Sequence, residues 1–156
     1  MWLIDAGIVS QCHNLSVPEL PLAGNVKEDE FKIYMRDTGL LIAMLEDGSQ
    51  KNVINGDLDI YKGAVYENII ADMLKKLGKE LYYYAKTNSF EIDFIIRINE
   101  IATAIEVKAA DNTKSWSINT IVKHHGVKKA LKLSAKNIGG DETILSLPLY
   151  MAMFLE

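Results

Sequence analysis

The segment from residue 63 to 109 constrains the fold most strongly, because its hydrophobic period changes there from that of a helix to that of strands. From Gly63 to Leu77, apolar residues recur at spacings of three and four, which predicts an amphipathic helix. Gly78 follows in the usual position after a helix C-terminus. Three strands are predicted next, the last two joined by a tight turn at 99–100: 81–85, 90–98 and 102–109.

The flanking segments add further helices and strands. Beyond residue 109 the pattern predicts a helix over 115–125, strands over 130–134 and 143–147, a loop over 137–142 and a short helix over 149–155. Before residue 63 it predicts the end of a helix at 2–4, a strand over 8–12, a helix over 29–45 broken near 37–39, and a loop over 46–60. This order predicts an α/β fold with a mixed sheet flanked by helices.

The composition excludes several classes of protein. With 49% hydrophobic residues the chain buries too much apolar surface to be disordered, and a single cysteine, Cys12, excludes a disulfide scaffold. No apolar run reaches the roughly 18 residues that cross a bilayer, and the N-terminus has no secretory signal pattern. We therefore expect a cytoplasmic globular protein with no membrane partner, of one domain or one domain with an appendage.

The charge is distributed unevenly along the chain. Residues 1–56 carry 4 basic and 8 acidic side chains, whereas residues 108–136 carry seven lysines and one acid. A net charge of +6 in the second segment fits a surface that contacts nucleic-acid phosphates. It fits equally well a solvated helix and a strand edge that lysines protect from aggregation.

The strand over 102–109 carries an unusual charged pair. Glu106 and Lys108 share one face and lie roughly 7 Å apart along the strand. A charged pair on an apolar strand loses hydration, which a divalent cation at Glu106 would offset. If a hairpin forms around 99–100, Asp93 lies opposite Glu106, and two adjacent carboxylates repel each other unless a cation or a proton lies between them. Oxygen ligands favour Mg²⁺ or Mn²⁺.

Glu67 is a third acidic candidate. It lies at the margin of the apolar stripe of the helix that begins near Gly63. From there it could point toward the carboxylate pair, but taken alone the pattern favours an ordinary solvated helix residue.

Together these residues resemble the signature of the PD-(D/E)XK nuclease superfamily, which has a restriction-endonuclease-like fold. That signature is an acid on one strand and an acid-any-lysine triplet on the next, matched here by Asp93 and by Glu106-Val107-Lys108. Over nearly its whole length the chain is also similar to a C-terminal domain of unknown function attached to bacterial and archaeal AAA+ family ATPases. The matching segments are Phe31–Leu41, Lys62–Ala71, Glu91–Ile96, Ile105–Ala109 and Ser146–Met151.

The resemblance implies a function and a set of roles. Asp93 and Glu106 would bind Mg²⁺ or Mn²⁺, with the Val107 carbonyl as a third ligand, and DNA phosphodiester hydrolysis would follow. Lys108 would orient or activate the attacking water and stabilise charge on the phosphate. Glu67 would act through a metal-bound water or by holding Lys108.

The resemblance also implies a domain organisation. Residues 1–56 would be an appendage that contains a short winged-helix remnant, and residues 57–156 the nuclease-like domain of a C-terminal fragment. The partners would be DNA and the ATPase domain of the same full-length protein. No G-x-x-x-x-G-K-[ST] loop is present, so we expect no nucleotide site, and Ile92 replaces the proline of the signature. The alternative is a non-catalytic module that binds nucleic acid or protein and directs the ATPase.

For the other side chains that could take part in chemistry, the sequence favours structural roles. Tyr82, Tyr83 and Tyr84 could stack on bases, but a tyrosine-rich strand is more often half-buried structure. His124 and His125 point about 100° apart on a helix and cannot easily share a metal. Nothing in the sequence supports Cys12 as a nucleophile.

Overall fold

An eight-stranded mixed sheet organises the residues that the structure, a computed structural model, describes: 2–46, 48–56, 61–87, 90–109 and 116–156. Its strands in chain order are β1 (Val9–Leu15), β2 (Val26–Met35), β3 (Tyr82–Thr87), β4 (Phe90–Ile98), β5 (Ile101–Val107), β6 (Lys129–Ser134), β7 (Gly139–Gly140) and β8 (Ile144–Pro148). Their spatial order is β2-β1-β3-β4-β5-β6-β8-β7. The neighbours β1/β3, β5/β6 and β6/β8 are parallel and the other pairs are antiparallel.

Helices cover both faces of this sheet. The α-helices are α1 (Trp2–Asp5), α2 (Thr38–Ala43), α3 (Ser49–Ile54), α4 (Lys62–Lys76) and α5 (Trp116–His124), and 3₁₀ turns occur at Leu22–Asn25 and Leu149–Phe154. None of the helices in the described part of the chain combines the length and the hydropathy needed to span a bilayer. The α/β class and the mixed sheet with flanking helices are confirmed.

Each face of the sheet has its own hydrophobic core. On the α4 face, Ile70 and Leu74 pack against Phe94 and Ile105 and are fully buried with them. On the α5 face, the buried residues are Ile92, Ile95, Ala104, Ile118 and Ile121. A strand covered on both faces is apolar on both faces, which is why β4 is a nearly continuous hydrophobic run.

The predicted helix, strand, strand and hairpin between residues 62 and 107 are confirmed. The turn between β4 and β5 contains two residues with positive φ, Asn99 at 45° and Glu100 at 63°. This conformation matches the twist of the flanking strands and is typical of two-residue hairpins. The hairpin fixes the register of β4 against β5, and with it the position of Asp93 relative to Glu106.

The helix predicted over 29–45 is wrong. Residues 26–35 form β2, which pairs with β1, and only Thr38–Ala43 is helical. The aromatic and β-branched side chains of Phe31, Ile33 and Tyr34 suit a strand better than a helix. Asp37 begins α2, because its side chain accepts a hydrogen bond from the Leu40 N–H.

The loops predicted over 46–60 and 137–142 are only partly correct. The first contains α3, and its residues 47 and 57–60 lie outside the described residues. The second contains β7, which pairs with β8. From the predicted appendage, β1 and β2 form one edge of the common sheet, where β1 pairs with β3; the domain boundary at 56/57 stays a prediction.

A β-bulge interrupts the strict alternation of side chains along β4. Tyr83 of β3 is opposed by two residues of β4, Asp93 and Phe94, instead of one. As a result Ile92 and Ile95, three positions apart, both pack on the α5 face. Strict alternation along β4, which would place Ile92 and Phe94 on one face, therefore does not hold.

Buried Asn68 joins α4 to the end of β2. Its amide accepts a hydrogen bond from the Met35 N–H at 2.8 Å and donates to the Met35 carbonyl and to the Thr38 hydroxyl, each at 3.0 Å. Asn68 is only 2% exposed, so no water replaces these bonds. The neighbouring Glu67 is thereby held against β2.

We predict that Asn68→Ala lowers the free energy of unfolding by about 2–4 kcal/mol, because it leaves the two backbone groups of Met35 unpaired in a buried place. Urea denaturation followed by circular dichroism measures this loss. The exposed Asn52 of α3 provides the matched control, for which Asn52→Ala should change stability by less than about 0.5 kcal/mol. Equal effects of the two substitutions would contradict the role assigned to Asn68.

Candidate functional site

The site begins where the β4–β5 ladder ends. Phe94 pairs with Ile105, and the next residues outward are Asp93 and Glu106, so the predicted opposition of the two acids follows from the register. Asp93 Oδ2 accepts a hydrogen bond from the Val107 N–H at 2.6 Å. A side chain thus takes the place of a backbone carbonyl at the end of the ladder and fixes Asp93 beside β5.

Glu106 and Lys108 form an ion pair next to Asp93. Glu106 is 5% exposed, and its Oε1 lies 2.5 Å from Lys108 Nζ. Its other oxygen, Oε2, is buried and has no hydrogen-bond partner among the described residues. An unpaired buried carboxylate oxygen costs free energy, so this position favours a ligand with positive charge or a donor group.

Glu67 reaches the site from α4. Its Oε2 accepts a hydrogen bond from the Tyr34 hydroxyl at 3.3 Å and lies 3.9 Å from Lys32 Nζ. Burial is the largest influence on the pKa of both Asp93 and Glu67, and in addition Glu67 repels Asp93 and is attracted by Lys108. The four residues predicted from sequence therefore interact electrostatically, although they come from different elements. Glu67 lies in α4, Asp93 at the bulge of β4, and Glu106 and Lys108 at the end of β5.

Sequence reasoning missed three further residues of the site, which are Lys32, Tyr34 and Glu91. Lys32 and Tyr34 alternate along β2 and reach Glu67, and Lys32 also forms an ion pair with Glu91 of β4. The Lys32 ammonium lies 5.1 Å from the centre of the Tyr83 ring. If residues 26–35 are interpreted as a strand, Lys32 and Tyr34 fall on one face. That alternation is the sequence signal that could have identified them.

Burial and like charge act together on the acids. Loss of hydration, followed by repulsion from Glu67, raises the pKa of Asp93 to about 7, against an opposing effect of the Val107 N–H and Lys32. Burial also raises the pKa of Glu67, and Lys32 and Tyr34 only partly offset it. Burial, more than the balance of charge, therefore favours the protonated forms of Asp93 and Glu67.

Lys32 stays charged in this environment. Burial lowers its pKa, but Glu91 and Glu67 more than offset that effect, and the net pKa is raised. One lysine thus approaches the acids from β2, while Lys108 approaches them from the end of β5.

The site supplies a small number of metal ligands. Among the described residues, no three His, Cys, Asp or Glu side chains lie together as a set that could hold a metal ion. Asp93 and Glu106 form a pair of carboxylates, and the peptide of Val107 is engaged through its N–H. Such a pair fits Mg²⁺, which proteins usually bind through one or two carboxylates with water and substrate phosphate completing the shell.

The remaining candidates have structural surroundings. Tyr84 is 1% and Tyr83 9% exposed, as expected for a structural tyrosine strand. His125 is half-buried against Tyr84, whose hydroxyl lies 3.3 Å from His125 Nδ1. Cys12 is fully buried, and burial raises the pKa of its thiol far above the range of a reactive thiolate.

The raised pKa of Asp93 predicts how stability depends on pH. Because the folded-state pKa of about 7 exceeds the ordinary value of 3.8, the unfolded chain releases this proton first. The contribution of Asp93 to stability therefore falls as pH rises from about 4 to 7 and is constant above that. Asp93→Asn should gain stability relative to the wild type between pH 5 and pH 8, by on the order of 3 kcal/mol.

Chemical denaturation at a series of pH values measures this difference. Asp141→Asn serves as the control, because the Ile144 and Thr143 N–H groups hold the pKa of Asp141 below its usual range and leave it ionised from pH 5 to 8. Parallel stability profiles for Asp93→Asn and the wild type would show that Asp93 titrates normally.

Comparison with known proteins gives one match. No curated protein and no solved structure matches the chain. The model of a domain of unknown function, DUF4143, matches residues 62–150, a span that begins with α4 and contains Glu67, Asp93, Glu106 and Lys108. Because this match covers more than half of the 156 residues, the chain belongs to the DUF4143 family.

Proposed function

We propose that this chain is a nuclease-like module that hydrolyses DNA phosphodiester bonds with the help of Mg²⁺ or Mn²⁺. The observation that carries the proposal is the buried Glu106 Oε2, unpartnered among the described residues and beside a second carboxylate, Asp93, across the end of the β4–β5 ladder. Paired carboxylates with an unsatisfied oxygen are suited to a hard cation.

The residues present fit such a cation. Asp93 and Glu106 would hold it, and its charge would offset the repulsion that raises the pKa of Asp93. A bound Mg²⁺ or Mn²⁺ supplies Lewis-acid stabilisation of phosphate charge and lowers the pKa of a coordinated water. The substrate phosphate would complete the ligand set, which matches the small number of protein ligands.

The other residues of the site prepare it for a phosphate. Lys108 is held by Glu106 and presents its ammonium at the end of β5, where it would orient the attacking water and stabilise charge that develops on the phosphate. Glu67 lies between the Tyr34 hydroxyl and Lys32. From there it would set the field at Asp93 and limit the mobility of Lys108.

The chain order supports a PD-(D/E)XK core. An acid-bearing helix, α4, precedes the antiparallel strands β3, β4 and β5, and α5 then leads to β6, which is parallel to β5. We further propose, from the resemblance to the C-terminal domain of AAA+ family ATPases, that an ATPase domain of the same full-length cytoplasmic protein positions this module on DNA.

A second candidate function is a non-catalytic module that binds nucleic acid or protein and directs the ATPase. One observation favours it: the described residues contain no three-residue ligand cluster. In that case the ion pair of Glu106 with Lys108 would be a structural feature of the sheet edge.

We predict that the chain nicks supercoiled plasmid or cuts single-stranded DNA with Mn²⁺ or Mg²⁺, and that EDTA abolishes the reaction. Glu106→Gln should lower the cleavage rate by about 10²-fold or more, since it removes a charged ligand while keeping the side-chain shape. Gel assays of initial rates measure this effect. The exposed Glu142 provides the control, because Glu142→Gln leaves the site untouched.

Two results would contradict hydrolysis at this site. Cleavage that persists in Glu106→Gln would place the activity elsewhere or in a contaminant. DNA binding without cleavage, even when the ATPase region is present, would leave the non-catalytic module as the function.

A further inference from the structure

An exposed tryptophan is braced by buried aromatic rings on the α5 face. Trp116 at the start of α5 is 62% exposed, and its ring meets Phe90 edge-on with centroids 5.8 Å apart and an angle of 86°. Phe90 stacks on His125 at 5.2 Å, and Tyr84 packs edge-on against both. A large apolar ring is therefore held in a defined orientation with much of its surface open to solvent.

The exposed face of α5 continues from this ring to a cation. Lys123 follows Trp116 by seven positions, which is about two helical turns, so both project on the same face roughly 10 Å apart. Asn119 lies between them and is also exposed. The opposite face of α5 carries Ile118 and Ile121, which are fully buried against the sheet.

Lys86 of β3 places a positive charge near the aromatic cluster. Lys86 is exposed, and its charge lowers the pKa of His125, although burial is the main cause of that lowering. Residues 108–136, which contain α5, carry a net charge of +6. Anionic partners are favoured at this surface and cationic ones are disfavoured.

The aromatic cluster and part of the candidate site share one face of the sheet. Glu106 alternates with Ala104, which belongs to the same buried cluster as Phe90. Phe90 and Asp93 are three residues apart on β4, or about 10 Å at the usual rise of a strand. A few nucleotides of an extended single strand can span a distance of this order.

We propose that Trp116 is a stacking platform for an unpaired nucleobase of single-stranded nucleic acid, whose backbone contacts Lys86 and Lys123. The proposal rests on the proposed function, since it gives the substrate strand a path to the acids. An open indole face with lysines near the same aromatic cluster suits a strand that offers a flat ring and a phosphate at each nucleotide. In a regular duplex the bases are stacked inside, and Trp116 could not reach their faces.

Fluorescence titration in EDTA tests the platform apart from any cleavage. The chain has two tryptophans, so Trp2→Phe leaves Trp116 as the only indole reporter. A 12-residue oligothymidylate should quench this fluorescence as it binds. An abasic oligonucleotide of equal length, which offers the same backbone without bases, should bind at least several-fold more weakly and leave the fluorescence unchanged.

Variants identify the residues that carry binding. Trp116→Ala should weaken oligothymidylate binding about 5- to 150-fold, as expected for one stacked base. Trp116→Phe should recover part of this loss, because it keeps an aromatic ring at the position. Trp2, which is 72% exposed, gives the matched control, because Trp2→Ala should bind like the wild type. Lys123→Ala should reduce the salt slope of binding by about 0.7.

Each outcome bears on the platform independently of hydrolysis. Binding of a labelled oligothymidylate, followed by fluorescence anisotropy of the label, that Trp116→Ala weakens in a chain that cuts no DNA with Mn²⁺ would support the platform and contradict the proposed hydrolysis. Cleavage with unchanged binding in both Trp116→Ala and Trp116→Phe would overturn the platform and leave hydrolysis standing. Equal binding of the abasic strand, preference for duplex without quenching, or no binding at all would also overturn the platform.

Discussion

The hydrogen bond from the Val107 N–H to Asp93 Oδ2 is the interaction on which the site depends. It forms because the β-bulge in β4 places two residues opposite Tyr83 and lets Asp93 turn toward β5 instead of continuing the ladder. The bond fixes one carboxylate beside the strand that carries Glu106 and Lys108. Without the bulge, strict alternation would carry Asp93 to the same side as Ile95, away from α4 and Glu67.

Around this bond the site contains more acidic side chains than basic ones. Glu67, Asp93 and Glu106 come from a helix and two strands, and Lys32 and Lys108 form ion pairs with Glu67 and Glu106. Burial, and then repulsion from Glu67, raises the pKa of Asp93 to about 7. Maintaining such repulsion lowers stability, and it is typical of sites that bind a cation or move a proton. If these residues had only a structural role, the protein would be more stable without one of the acids.

The sequence predicted the parts of the fold where one period dominates a segment. The apolar stripe of α4 and the β4–β5 hairpin are local patterns, and they were sufficient to place Asp93 opposite Glu106. The bulge at Asp93 was not predictable, because it depends on pairing with β3 and the sequence of β4 contains no residue typical of a bulge. Lys32 was missed because the apolar spacing over 29–45 was interpreted as a helix, although the aromatic and β-branched residues of β2 suit the strand that pairs with β1.

Metal binding by the intact chain tests the central claim most directly. Isothermal titration calorimetry with Mn²⁺ at pH 6 and pH 8 should give one site per chain, with proton release at pH 6, where Asp93 is protonated in most molecules. Glu106→Gln and Asp93→Asn should each abolish this site, and Glu142→Gln should retain it. Absence of saturable binding, or binding that survives both substitutions, would contradict the claim that Asp93 and Glu106 form a cation site.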